Sequence, residues 1–268
     1  MNKVSNIEFG LELTKNSKVG PAFSLSRSSS CINKTALCER VCYGNGIRYR
    51  SVGQTEKRMR NYKTAEFLIQ HGGSKLLAEN LVAVVDQARP IDYLAAMITK
   101  TETAIPWTLR IHDVGDFYSV NYVNAWVLTA KQRPNCRFWF YTRSFVEPEL
   151  FEALSEFAAL DNVSGFLSLD SDNYDLGVLR FAQSRPGTWR IALLQEERSS
   201  KTDKCADKIA SQAGRNDVIV FPKHHGGRHV APTERANFTV CPQVLGAIKL
   251  ESRSGFSKPC QTCALCLP

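Results

Sequence analysis

Seven of the nine cysteines in this sequence fall into two groups, one near each end of the chain. The first group is Cys31, Cys38 and Cys42, spaced C-x6-C-x3-C, and the second is Cys241, Cys260, Cys263 and Cys266, spaced C-x18-C-x2-C-x2-C. Thiolates bind structural zinc and iron–sulfur clusters. In a reducing compartment, clustered cysteines are more often metal ligands than disulfides. The sequence therefore predicts two metal centres.

The second group fits either tetrahedral zinc or a [4Fe–4S] cluster, because four thiolates in a short irregular segment can converge on one centre. Its C-x2-C-x2-C run is of the ferredoxin type, which favours a cluster over zinc. The remaining two cysteines, Cys136 and Cys205, fall in a predicted strand and on a predicted apolar helix face. A thiol in such a place behaves as a small hydrophobic group.

The first group has three cysteines, which is one ligand too few for a closed zinc site. Three thiolates on a [4Fe–4S] cluster leave one iron open to bind a substrate or a cofactor. Alternatively, a fourth ligand completes a closed site. That ligand would be His112 or a histidine of the segment His224-His225-Gly226-Gly227-Arg228-His229.

Short apolar runs alternate with amphipathic segments through most of the chain, which predicts strands alternating with helices. The predicted strands are Ala22–Ser26, Trp107–Ile111, Phe138–Tyr141, Val163–Leu169, Trp189–Leu194 and Val218–Phe221. Such alternation favours parallel pairing with right-handed crossovers, in a doubly wound or a barrel-like sheet. We expect an α/β fold, a six-stranded (βα)6 partial TIM-type barrel over residues 1–231. An irregular cysteine-rich extension, residues 232–268, would pack on it.

Polar residues follow every predicted strand, at the end where barrel-type α/β folds gather their chemistry. After the cysteine loop of the first strand, these are His112, Asp113, Gly115 and Asp116; Tyr141, Thr142 and Arg143; Ser168, Asp170 and Asp172; Gln195, Glu196 and Glu197; and Lys223, His224 and His225. We expect them to line one mouth of the sheet.

The three-cysteine loop after the first strand, the six alternating strands and the carboxyl-terminal cysteines resemble the radical S-adenosylmethionine (radical SAM) enzymes. In that superfamily three cysteines hold a [4Fe–4S] cluster whose open iron chelates the methionine moiety of S-adenosylmethionine. Reductive cleavage then gives a 5′-deoxyadenosyl radical that abstracts hydrogen from the substrate. The usual spacing is C-x3-C-x2-C, so the loop here is longer.

This resemblance implies roles for particular residues. Cys31, Cys38 and Cys42 would bind the cluster, with Tyr43 beside them. Gly115 and Asp116 would contact the methionine amine, Ser168 and Asp170 would bind the ribose, and the strand Val218–Phe221 would lie beside the adenine. His112, Tyr141, Arg143 and Glu197 would contact the substrate or transfer protons. The second centre would relay electrons, bind substrate or staple the tail, and an electron donor is implied as a partner.

Shorter pieces of the sequence are similar to the phage- and plasmid-encoded gene product eighty-eight-like proteins. They are Cys38-x3-Cys42-Tyr43, the stretch from Arg110 to Phe117, Tyr141-Thr142-Arg143, and Cys241-Pro242 with the last three cysteines. These pieces span most of the chain. The resemblance brings no activity with it.

The chain carries a net charge of +8, much of it in one basic run. This run contains Arg48, Arg50, Lys57, Arg58, Arg60 and Lys63. A rival interpretation is therefore a non-catalytic iron–sulfur or zinc protein that binds nucleic acid through this run. A third interpretation keeps the enzyme and makes DNA or RNA its substrate. The amino terminus lacks the features of a secretory signal, and no apolar stretch approaches the ~20 residues of a membrane span. We expect a cytoplasmic protein with no membrane partner.

Overall fold

The computed structural model describes residues 10–16, 18–89, 107–195, 200–213, 217–222, 238–242, 244, 260 and 263–268. Its strands are β1 (Thr14–Asn16), β2 (Gly20–Phe23), β3 (Trp107–Ile111), β4 (Cys136–Thr142), β5 (Val163–Leu169), β6 (Trp189–Gln195), β7 (Val218–Pro222) and β8 (Thr239–Val240). Its helices are α1 (Arg27–Ser30), α2 (Ala36–Val41), α3 (Val52–Asp86), α4 (Val120–Gln132), α5 (Pro148–Ala158), α6 (Tyr174–Gln183) and α7 (Ser200–Ala213).

All eight strands form one sheet, in the order in which they occur along the chain. β1 and β2 are an antiparallel hairpin, and β2 to β8 are seven parallel neighbours. The fold is mixed α/β. The sheet is open, because no pairing among the described residues joins β2 to β8. The strand order never reverses, so the described sheet has no switch point of the doubly wound kind.

The six predicted strands are all present, but the predicted count of six is wrong. The hairpin strand β1 adds one at the edge. β8 adds another, because Thr239 and Val240 pair in parallel with β7. Two residues are too few to show a strand period in the sequence. The predicted extension, which begins at residue 232, therefore contributes a strand to the sheet. The predicted boundary between the barrel and this extension, at residues 231 and 232, lies outside the described residues.

The helices cover one face of the sheet and bury its main core. Alternate strand residues such as Leu109 and Phe140 face this layer, where they meet Trp126 of α4 and Phe157 of α5. The Phe140 and Phe157 rings stack with their centroids 5.2 Å apart. Burying an aromatic side chain of this size stabilises the fold by roughly 2–3 kcal/mol. This core fixes the parallel strands, and with them the loops at their carboxyl ends.

The other face of the sheet is covered by the end of the chain. Leu265 and Cys266 pack on Phe166 and Ile219, and Cys266 and Leu267 pack on Trp139. We call residues 263–268 the tail. Residues 263–268 thus pack on the face of the sheet opposite the helices.

Helix α3 is broken in the middle. Gly72 and Gly73 have non-helical backbone angles, and Gly73 has φ 63°.

Within the described ranges, no helix is long and apolar enough to cross a membrane.

Candidate iron–sulfur site

The first three cysteines lie on the loop that follows β2, at the carboxyl edge of the parallel strands. Cys31 follows α1, Cys38 lies in α2, and Cys42 follows α2. Helix α2 is capped by Thr35, whose hydroxyl oxygen accepts a hydrogen bond from the backbone N–H of Cys38 at 3.0 Å. Such a cap contributes about 1 kcal/mol to helix stability. It also fixes the turn that carries Cys38.

The three thiols act on one another electrostatically. Burial is the largest cause that raises the pKa of Cys31, to about 12, and the charges of Cys38 and Cys42 raise it further. The backbone N–H of Gly115 hydrogen-bonds to the Cys31 thiol and opposes this rise. Burial also raises the pKa of Cys38, against the lowering effect of Arg143. The loop therefore brings three partly exposed thiols within electrostatic range of each other.

A buried carboxylate joins this loop to the ends of β4 and β5. Asp170 is fully buried, and its Oδ2 accepts hydrogen bonds from Thr35 Oγ1 at 2.6 Å and from Arg143 Nη2 at 3.1 Å. Its Oδ1 accepts from the backbone N–H of Asp172, whose own carboxylate accepts from Leu37 N. We call Thr35, Arg143 and Asp170 the hub. The hub holds the first turn of α2, and so Cys38, against the sheet.

Asp116 makes a second connection between strand ends. Its Oδ1 accepts from Thr142 Oγ1 at 2.7 Å and from Phe117 N at 2.8 Å, and its Oδ2 accepts from Arg143 N at 2.8 Å. Burial raises the pKa of this carboxyl, and these hydrogen bonds oppose the rise. Both oxygens are thus engaged within the protein, tying the end of β3 to the end of β4.

The other two residues expected to bind the cofactor lie at the same edge. Gly115 has φ 103°, and a Cβ there would lie 2.9 Å from Leu25 Cβ. Its N–H reaches Cys31 only because the backbone can pass this close. Ser168 lies near the end of β5 and is nearly buried, and its carbonyl accepts from Asn173 Nδ2.

His112 lies at the end of β3 but faces the helix layer. Its φ is 62°, and its ring hydrogen-bonds through Nε2 to Tyr122 Oη at 2.8 Å and meets Phe117 edge-on. Its Nδ1 is buried and has no partner among the residues that the structure describes. Its contacts are those of a core side chain, whereas the sequence suggested one that contacts substrate.

We expect His112 to make stability depend on pH. Burial, then the charge of Arg110, lowers its pKa from 6.5 to about 3. Between these values the unfolded chain binds a proton that the folded chain does not. The free energy of unfolding should therefore fall as pH is lowered from 6.5 toward 3, by about 1.4 kcal/mol per pH unit.

Urea unfolding between pH 6.5 and 4.5 tests this dependence. Asparagine tolerates positive φ and does not titrate. The variant His112→Asn should therefore reduce the slope of the free energy of unfolding against pH by about 1.4 kcal/mol per pH unit. The matched control is Asn80→Ala on the exposed surface of α3, which removes no titratable group and should leave the slope unchanged. Equal slopes in all three proteins would contradict the prediction.

The second cysteine group lies on the tail-covered face. The backbone N–H of Cys260 donates to the carbonyl of Lys18, just before β2, and Cys266 Sγ lies 3.0 Å from Tyr141 Oη. Burial raises the pKa of Cys266 to about 11, and the charges of Cys241 and Cys260 also raise it. The charge of Cys263 likewise raises the pKa of Cys260. The four thiols therefore lie within electrostatic range of one another on this face.

Tyr141 belongs to this second region. Its partly buried ring packs against Phe166 and Phe221, and the Arg110 guanidinium lies 4.6 Å from the centroids of both Tyr141 and Trp139. Its hydroxyl faces Cys266. Of the expected substrate-contacting residues that the structure describes, only Arg143 lies at the hub.

The structure divides the basic run. Lys57 and Arg60 both pair with the carboxylate of Glu12. Arg58 is buried, and its guanidinium donates to the carbonyl of Tyr49. Arg50 and Lys63 are exposed. The run is thus not a continuous basic surface.

Several expected site residues lie outside the described residues. They are Glu197, His224, His225, His229 and the side chain of Arg48. Among the residues that are described, no three His, Cys, Asp or Glu side chains form a cage for a metal ion.

Thr35 was not among the site residues predicted from the sequence. Its signal was present as a threonine three residues before Cys38, which is the spacing at which an N-cap side chain meets the backbone of its helix. Its second partner, Asp170, is 135 residues away and leaves no local signal.

Comparison with known proteins identifies similar proteins in two phages. The Gene 88 proteins of Mycobacterium phage L5 and Mycobacterium phage D29 are each 30% identical to this chain over 181 residues. The match covers 63% of this chain and 65% of each relative. No solved structure matches. The family model described as Gene product 88 matches residues 3–268, and the chain belongs to that family.

Proposed function

We propose that the protein is an iron–sulfur enzyme of the radical S-adenosylmethionine type. The observation that carries the proposal is the place of Cys31, Cys38 and Cys42. They lie on the loop after the first of seven parallel strands in sequential order, at the edge where barrel-type folds carry out their chemistry. We also propose that the open sheet is a partial barrel of the TIM type, in a protein of the reducing cytoplasm.

The donor set fits a cluster better than a single ion. Thiolates around one zinc, each about 2.3 Å from the metal, lie within about 4 Å of one another. Thiolates on a [4Fe–4S] cluster bind different irons and lie further apart. The three thiols within electrostatic range of one another are one ligand short of a closed zinc site, whereas three thiolates suffice for a [4Fe–4S] cluster with one open iron. When bound, such a cluster supplies the electron that cleaves S-adenosylmethionine.

The protein's own residues orient this site. The hub holds the turn that carries Cys38, and the N–H of Gly115 donates to Cys31. Arg143 supplies a nearly buried positive charge beside Cys38. Its Nε–H has no partner within the described ranges, which leaves a donor for an anionic ligand. Gly115, Asp116, Ser168 and Asp170 would frame the cofactor, with Asp116 and Asp170 doing so through their contacts to other residues.

We propose that Cys241, Cys260, Cys263 and Cys266 hold a second centre, a cluster or zinc. It would lie on the tail-covered face, against Tyr141 and Arg110. A metal centre in this position would cross-link the tail to the sheet.

Anaerobic reconstitution tests the proposal directly. We expect iron and sulfide for a [4Fe–4S] cluster at the first site, and an electron paramagnetic resonance signal of the reduced protein that changes on adding S-adenosylmethionine. Cys38→Ala should lose about four iron atoms per chain and the response to S-adenosylmethionine. The matched control is Cys136→Ala, which removes a buried core thiol and should keep both.

Two results would overturn the proposal. The first is an iron content that Cys38→Ala leaves unchanged. The second is zinc in place of iron at Cys31, Cys38 and Cys42, or a cluster at these cysteines that does not respond to S-adenosylmethionine. Salt-dependent binding of DNA or RNA by such a protein would then support the nucleic-acid-binding interpretation.

A further inference from the structure

We propose that Tyr141 donates a hydrogen bond to the metal-bound sulfur of Cys266, and that with Arg110 it raises the reduction potential of a [4Fe–4S] cluster at the second cysteine group. The inference rests on the second centre of the proposed function and deepens it, because it makes that centre a redox-active cluster. It also gives Tyr141, for which the sequence suggested contact with substrate, a role at Cys266 instead.

The contact between Tyr141 and Cys266 determines which group donates the hydrogen bond. Tyr141 Oη and Cys266 Sγ lie 3.0 Å apart. A thiolate that binds a metal has lost its proton, so the phenol is the donor once Cys266 is a ligand. Burial, the largest cause, raises the pKa of Tyr141 well above its usual value, and the phenol therefore keeps its proton at neutral pH. A hydrogen bond to an ionised sulfur of this kind is roughly twice as strong as one between neutral groups.

The parallel sheet positions both partners of this hydrogen bond. Tyr141 pairs with Phe166 on β5, and Phe166 pairs with Arg190 on β6. The Tyr141 and Phe166 ring centroids are 4.9 Å apart, and the Arg190 guanidinium lies 4.7 Å from the Phe166 centroid. Arg190 Nη1 also donates to the carbonyl of Leu265 at 2.7 Å, which holds the residue before Cys266. One row of neighbouring side chains thus fixes the phenol and the backbone beside its acceptor.

Arg110 adds a positive charge to the same region. It pairs with Trp139 across β3 and β4, and its guanidinium lies 4.6 Å from the ring centroids of both Trp139 and Tyr141. Burial raises the pKa of Cys260 and of Cys266, and the Arg110 charge opposes the rise in both. Arg110 is nearly buried, so salt screens its charge little. A hydrogen bond and a cation therefore both stabilise negative charge at these sulfurs.

This environment favours the reduced state of an iron–sulfur centre. Reduction adds one electron, so a phenol and a guanidinium beside the sulfurs stabilise the reduced state more than the oxidised state. Hydrogen bonds to the sulfurs are among the factors that set such potentials. The electron comes from a one-electron reductant such as dithionite, no bond breaks, and Tyr141 keeps its proton. Zinc has no redox chemistry, and the C-x2-C-x2-C spacing of Cys260, Cys263 and Cys266 favours a cluster.

A redox titration of a protein that holds only the second centre tests the inference. The full chain with Cys38→Ala is the parent for these measurements, because its remaining electron paramagnetic resonance signal belongs to the second centre. Adding Tyr141→Phe should lower the midpoint potential. At the midpoint potential of the parent, the ratio of reduced to oxidised cluster should fall at least threefold, which corresponds to about 28 mV for a one-electron couple.

The matched control is Tyr122→Phe in the same parent. Tyr122 is fully buried, and its hydroxyl hydrogen-bonds to His112 at 2.8 Å in the helix layer. The control therefore removes the same atom on the opposite side of the sheet, and should leave the potential of the second centre unchanged. A Tyr141→Phe potential equal to that of Tyr122→Phe would overturn the inference.

A pair of Arg110 variants tests the charge separately. Arg110→Gln should lower the potential, whereas Arg110→Lys keeps the positive charge and should give a potential between that of Arg110→Gln and that of the parent. This pair also decides the outcome if Tyr141→Phe retains no iron. A lower potential in Arg110→Gln alone would then support the inference, and equal potentials in both variants would contradict it.

Metal analysis distinguishes this inference from the proposed function. Zinc at the second group overturns the inference, while a cluster at the first site that responds to S-adenosylmethionine leaves the radical S-adenosylmethionine proposal standing. Conversely, a first site that binds no cluster contradicts that proposal, and a lower potential of the second centre in Tyr141→Phe would still support the role of Tyr141.

Discussion

Replacing Asp170 with alanine should lower the free energy of unfolding by about 3–5 kcal/mol, the usual effect of removing one partner of a buried ion pair. Asp170 is fully buried and the Arg143 side chain is 13% exposed, so the variant leaves a nearly buried guanidinium without its carboxylate. Thr35 Oγ1 and Asp172 N lose their acceptor as well. Urea unfolding at neutral pH measures the change.

The neighbouring Asp172→Ala is the matched control. Asp172 is exposed and accepts one backbone hydrogen bond, from Leu37, so its loss should destabilise by about 1 kcal/mol. Asp170→Asn keeps the shape and part of the hydrogen bonding, and should fall between the two. If Asp170→Ala destabilises no more than Asp172→Ala, the hub does not anchor the cysteine loop.

Gly115→Ala should destabilise the protein by about 3 kcal/mol. A residue with a side chain at φ 103° is strained by roughly 1–2 kcal/mol. The new Cβ would also lie 2.9 Å from Leu25 Cβ, 3.0 Å from Ser30 Oγ and 3.1 Å from Leu25 N. Crowding of this kind adds roughly 1–3 kcal/mol. The shift should weaken the hydrogen bond from residue 115 to Cys31, so we also expect less iron to be retained.

Gly187→Ala separates the two causes. Gly187 has φ 82° but nothing within 4 Å of a Cβ, so only the backbone strain remains, at roughly 1–2 kcal/mol. Both variants are measured by urea unfolding. Equal destabilisation would show that close packing against Leu25 and Ser30 contributes nothing.

The sequence was most informative where burial is continuous. β5 is buried at every residue from Val163 to Leu169, and such a run with flanking turn residues is recognisable by itself. β8 was not predicted, because two residues pair with β7 only through tertiary structure. The four cysteines of the second group lie within electrostatic range of one another, and that they hold a metal stays a prediction.

The roles of single polar residues depended on partners far away in the chain. Lys57 and Arg60 belong to a basic run in the sequence, but Glu12, more than forty residues earlier, pairs with both. Asp116 follows β3 as expected, yet its carboxylate is satisfied by groups at the end of β4. His112 turns toward the helix layer through a positive φ. No local pattern contains these partners.

The packing of Leu267 and Cys266 against Val19 and Ala22 has a consequence for synthesis of the chain. The first strands leave the ribosome long before the residues that cover one of their faces. At roughly 5–20 residues per second, the intervening stretch of about 245 residues takes about 12–50 s to translate. During that time apolar side chains of β2 remain open to water or to a chaperone. This face of the sheet is therefore completed only after residues 260–267 have been made.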